Sequence, residues 1–111
     1  MASTFAVLAD PSRREILDLL REREQPVGYL VDRLTLTQPT VSKHLKVLRE
    51  AGLVEVRTDA QRRWYRVNPR PLAEVEAWLA PYRAMWEKSL DALERRLDEI
   101  EGTDPWTRNC R

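Results

Sequence analysis

The sequence predicts a mainly α-helical chain with one small β-hairpin, an α+β arrangement in the order α-α-α-α-β-β-α. Three observations predict it. Apolar residues recur every three or four positions through the first half, which is the period of a helix. The period drops to two between Leu53 and Val67. A last apolar series, Val75 to Ile100, returns to threes and fours and covers ~26 residues, or roughly 40 Å of helix.

The elements follow in order. Phe5, Val7 and Leu8 suggest a short first helix with one apolar side. Asp10-Pro11-Ser12 starts the second: Asp10 can accept from free N–H groups, and Pro11 suits the first turn because it has no N–H to satisfy. Ile16, Leu17 and Leu20 form its stripe, and Gln25-Pro26 ends it, since the residue before proline disfavours helical angles. "VGYLVDRL" makes the third helix, with Tyr29 or Leu30, Val31 and Leu34 at helical spacing; a glycine such as Gly28 in a short helix suggests close packing. "TLT" is a turn, and Thr37 caps the fourth helix with Gln38 and Pro39 in its first turn. Val41, Leu45 and Leu48 are its buried face, and Ala51-Gly52 stops it in a left-handed conformation. Leu53, Val54 and Val56 give a strand, "TDAQR" a turn, and "RWYRV" a second strand with Trp64 or Tyr65 alternating with Val67. Pro71 can open the last helix, within which Pro81 must lose one hydrogen bond or kink the axis.

The 111 residues fit one domain, expected over residues 1–101, followed by a loosely ordered tail at 102–111. No apolar run approaches the ~20 residues needed to cross a bilayer, so no membrane partner is expected. The N-terminus lacks the basic start and apolar stretch of a signal peptide. A single cysteine, Cys110, excludes an intramolecular disulfide and suggests a reducing, cytoplasmic setting. Eight basic and three acidic residues lie between Thr35 and Arg70, against eleven basic and fifteen acidic elsewhere. A basic middle between acidic flanks points to a local anion-binding surface.

Catalysis finds little support. There is no Gly-rich phosphate loop, and Ser42 and His44 stand two apart on a helix, where side chains do not face each other. The fourth helix instead has an apolar back and a front of Gln38, Thr40, Ser42, Lys43, His44 and Lys46. A major groove admits one such helix; glutamine can bond adenine bidentately, lysine can reach guanine or phosphate, and serine or threonine either. A helix-turn-helix followed by a hairpin wing is the arrangement that presents it.

The pieces "SRREILDLL", "TQPTVSKHLKVLREAGLVEVR" and "RRWYRV", with the long last helix, resemble the ArsR/SmtB family of bacterial winged helix-turn-helix transcriptional repressors over roughly residues 5–100. The resemblance implies a homodimer on a roughly palindromic double-stranded DNA operator. It implies a reading face at Gln38, Thr40, Ser42, Lys43 and His44, and wing contacts from Arg62 and Arg63. The first and last helices would form the dimer interface, through Phe5, Leu8, Leu79, Tyr82, Trp86, Leu90 and Leu93.

The departures are equally informative. Many relatives hold a metal through a cysteine pair in the third helix or through Asp, His and Glu on the last. Here Pro26, Val27 and Gly28 stand at the thiol positions, and the last helix has no histidine. Glu74, Glu76, Glu87, Asp91, Glu94, Asp98 and Glu99 alone make a poor transition-metal site, so neither metal nor cofactor is expected. His44, without ligand partners, is assigned to DNA, Cys110 to a passive tail thiol, and Trp64, Trp78 and Trp86 to core or interface. A rival reading keeps the fold and uses the same surface to bind protein.

Overall fold

The structure, a computed structural model, describes residues 3–101 of the 111. The expectations for the 102–111 tail, with Trp106 and Cys110, lie outside the described residues. The elements are α1 (Thr4–Leu8), α2 (Pro11–Glu22), β1 (Gln25–Pro26), α3 (Val27–Leu34), α4 (Gln38–Glu50), β2 (Val54–Asp59), β3 (Arg62–Val67) and α5 (Leu72–Glu101). They divide into two compact units, Met1–Glu76 and Ala77–Arg111.

One element departs from expectation. Instead of a bare helix stop, Gln25–Pro26 is a strand, pairing antiparallel with Tyr65 and Trp64 in a sheet of order β1-β3-β2. The cause is in the residues. A proline that cannot continue a helix is already extended, and an edge strand is where its missing N–H costs least. Helix α2 therefore ends earlier, with Arg23 extended at its C-terminal cap.

The caps fall where side-chain chemistry puts them. Asp10 Oδ1 accepts from the N–H of Ser12 at 2.8 Å and of Arg13 at 3.3 Å. Thr37 Oγ1 accepts from the Thr40 N–H at 3.4 Å, with Pro39 in the first turn. At the other end of α4, Gly52 has φ 78°. Its N–H donates to Arg49 O, and the Leu53 N–H donates to Leu48 O, both at 2.9 Å. This is a Schellman stop, and its usual apolar contact is supplied by Leu48 and Leu53, both fully buried.

The core of the first unit gathers Ile16 and Leu20 from α2, Leu30 from α3, Val41, Leu45 and Leu48 from α4, and Leu53, Val54 and Tyr65 from the hairpin. Each such burial stabilises by roughly 1.5–3 kcal/mol. Helix α1 adds Val7; Phe5 is exposed, while Leu8 packs partly against this core. The sequence left Tyr29 or Leu30, and Trp64 or Tyr65, as alternatives; Leu30 and Tyr65 are the buried members. Gly28 corrects its expectation: a Cβ there would meet nothing within 4 Å, so close packing is not its reason.

Helix α5 runs 30 residues with Pro81 inside it. Its apolar stripe is exposed, with Trp86 at 66%, Leu90 at 50% and Leu93 at 53%. Trp78 and Tyr82, one turn apart, pack with ring centroids 5.0 Å apart and planes tilted by 44°.

Candidate nucleic-acid interface

Helix α4 sets the geometry of the site. Val41, Leu45 and Leu48 are at most 1% exposed and fix which way the helix faces. Half a turn from that stripe stand Pro39, Lys43, Lys46 and Glu50, all exposed. Lys43 and Lys46 therefore occupy the centre of the outward face. Pro39 and Glu50 share it, which the sequence reading overlooked although their spacing of four, three and four announces it.

The two flanks differ. Gln38 and Ser42, four apart, line a cleft of about 600 Å³ with Gly28, Tyr29 and Asp32 of α3 and Gln61, Arg62 and Arg63 of the wing. Thr40 and His44 lie on the opposite flank. The Thr40 hydroxyl sits 2.8 Å from that of Thr37, in the cap itself. His44 is half-buried rather than frontal, and its electrostatic influence reaches Asp10. Its spacing says why: 44 is three past Val41 and four before Leu48, beside the buried stripe. Desolvation at the start of α2 pushes the Asp10 carboxyl up, but the N–H groups of Ser12 and Arg13 and the charges of His44 and Arg13 outweigh it and hold it below the ordinary range.

The wing turns on a two-residue loop, Ala60-Gln61, between the β2 and β3 termini. Ala60 takes φ 58°, where an alanine is strained. Arg62 and Arg63 follow directly, so they leave the strand on opposite faces. Arg62 lies over the Trp64 ring at 5.7 Å and Arg63 over Tyr65 at 5.9 Å, although both reach the cleft. Arg57 is occupied: it stacks on Trp64 and forms a bidentate ion pair with Glu24. That hydrogen bond from Arg57 holds the Glu24 carboxyl below its ordinary range. The pair ties the wing to the end of α2, and nothing in the local sequence signals it.

Among the described residues no three of His, Cys, Asp and Glu stand close enough to share a metal ion. The predicted readers thus gather on one side of the first unit, with His44 and Thr40 at its margin.

Residues 10–56 match the family model described as bacterial regulatory protein, arsR family. Over 100 residues the chain is 37% identical to the HTH-type transcriptional regulator Rv2034 of Mycobacterium tuberculosis, spanning 90% of each protein. It is 36% identical to the arsenical resistance operon repressor of Staphylococcus aureus, over 68% of this chain and 72% of that one. The chain belongs to the ArsR family. Solved structures agree. A possible transcriptional regulator for arsenical resistance superposes with a TM-score of 0.67 at 35% identity, covering 86% of this chain and 97% of the other. NolR from Sinorhizobium fredii gives 0.59 at 34% identity, over 70% and 79%. As an ArsR-family protein the chain is a winged-helix, DNA-binding transcriptional regulator. The surface around α4 and the wing is therefore its candidate nucleic-acid interface.

Proposed function

We propose that this ArsR-family regulator is a homodimeric repressor that reads a roughly palindromic operator with α4 and grips the backbone with its wing. The observation that carries the reading is the orientation of α4. Its apolar back is fully buried, which leaves Lys43 and Lys46 at the centre of the exposed front and Gln38 and Ser42 beside them. A helix so held can enter a major groove with Gln38, Ser42, Lys43 and Lys46 toward base edges or phosphates. Arg62 and Arg63 take phosphate or minor-groove contacts. Thr40 and His44 contribute from the flank, with His44 reaching phosphate rather than base.

Dimerisation supports the same reading. An exposed stripe from Leu79 through Tyr82, Trp86, Leu90 and Leu93 is more apolar surface than a monomer usually leaves wet. A second copy of α5 is the occupant we propose; Phe5 and Leu8 of α1 are proposed to contribute to the dimer interface as well. Two-fold symmetry then presents two recognition helices to two half-sites. No described helix is long and apolar enough to cross a membrane.

A salt titration tests the proposal. Log affinity for duplex DNA should fall linearly with log salt, at a slope near −0.9 per neutralised phosphate. DNA binding that ignores salt, or is absent, rejects it in favour of a protein-binding module.

A further inference from the structure

The cleft beside α4 is lined by one carboxylate, Asp32, that the proposed DNA contacts do not use. Gly28 and Asp32 are four apart in α3 and share a face, and both line the cleft with Gln38, Ser42, Arg62 and Arg63. Asp32 is exposed. Its carboxylate makes no hydrogen bond or ion pair with any described residue. The nearby cations are engaged with aromatic rings instead: Arg33 lies 5.2 Å over Tyr29, Arg62 over Trp64 and Arg63 over Tyr65. The space above Gly28, one turn before Asp32, is open, because a Cβ there would meet nothing within 4 Å.

An unneutralised carboxylate on a surface that receives a polyanion has a definite effect. It repels any phosphate that comes close to it, while Arg62 and Arg63 attract the same phosphate. The cleft therefore carries both signs, Asp32 on α3 and Arg62 and Arg63 on the wing. A backbone strand following the wing arginines is favoured, and one that brings a phosphate to Asp32 is penalised. In the operator register, fixed by base contacts from α4, the strand keeps to the arginines. On random DNA no base contact fixes the register, so many of the available placements bring a phosphate toward Asp32.

We propose that Asp32 is a specificity-determining residue that acts by repulsion, lowering affinity for DNA bound out of register more than for the operator. The inference rests on the DNA-reading role of α4 proposed above. It explains why a basic face retains an unpaired acid beside its readers: the charge lowers total affinity and raises discrimination.

The test compares wild-type protein with Asp32→Asn, which keeps size and hydrogen-bonding capacity and removes charge. Both bind a duplex selected by the wild type from a random pool and a scrambled duplex of equal length, at two salt concentrations. The expected result is a roughly three- to tenfold gain on scrambled DNA, from removing one like-charge repulsion at partly screened range. Affinity for the selected duplex should change less than about twofold, so the ratio falls. The gain should shrink at high salt, as the screening length drops toward ~3 Å near 1 M. Thermal melts of the two proteins control for folding, and Asp32→Ala should reproduce the result. Equal gains on both duplexes, no gain on either, a salt-independent gain, or a loss on the selected duplex overturns the inference. The last outcome would mark Asp32 as a base contact. A wild type that binds no duplex at all overturns the DNA-reading role, and this inference falls with it.

Discussion

Helices α4 and α5 carry apolar residues at the same threes and fours, and they use them in opposite directions. In α4 the stripe Val41, Leu45 and Leu48 is sealed inside the first unit, leaving the polar front to be aimed outward. In α5 the stripe through Trp86, Leu90 and Leu93 is at least half exposed. Periodicity identifies which face is apolar; it does not identify what covers it. For α4 the cover is its own chain, and for α5 we propose a second copy.

The contrast can be broken most sharply by truncating one leucine in each stripe. Leu45→Ala should cost about 2–5 kcal/mol of stability at any protein concentration, read as a lower denaturation midpoint. Leu93→Ala should instead lower the midpoint relative to wild type only at concentrations where the protein associates, the difference vanishing on dilution below the dissociation constant, because its burial depends on association. If both variants respond alike to dilution, the two stripes do not differ as described. Next in size, Trp86→Asp should reduce self-association and DNA affinity together; light scattering that finds it still fully dimeric would count against the α5 interface.

Two smaller effects sharpen how α4 is held. Gly52→Ala should destabilise by about 1 kcal/mol, from the left-handed φ alone. The new Cβ would meet Pro71 Cγ at 3.6 Å, an ordinary contact, so a much larger loss in a thermal melt would point to a clash instead. Smallest is the tether between wing and α2. The Glu24 carboxyl titrates lower when folded because Arg57 donates to it, so its contribution is complete above the ordinary glutamate range and fades as pH falls through the lowered value. Glu24→Gln should remove that part of the acid-side decline in stability, and an unchanged pH profile would show that the exposed pair contributes nothing measurable.

Much of the frame was legible because it is written in local chemistry. Asp10 with Pro11, Thr37 with Pro39, and Gly52 each bound a helix through their own side chain or φ. Val41, Leu45 and Leu48 declared their face by spacing. What was not legible depends on partners distant in sequence. A two-residue strand at Gln25–Pro26 exists only because β3 offers an edge. The Arg57–Glu24 pair spans 33 positions. His44 is an intermediate case: its type suggested an outward reader, while its spacing beside the buried stripe placed it on the flank near Asp10. Gly28 misled for a related reason, since a missing Cβ can mark open space as well as close contact.

The division of labour between recognition helix and wing is tested most directly by measuring Gln38→Ala and Arg62→Ala on a selected operator, its single-base variants and random DNA. Gln38→Ala should relax preference at particular base pairs, by about 1–3 kcal/mol, and leave random DNA little changed. Arg62→Ala should weaken every duplex about equally and lower the salt slope by about one. If the two substitutions act equally on operator and random DNA, α4 does not read sequence in the way we propose.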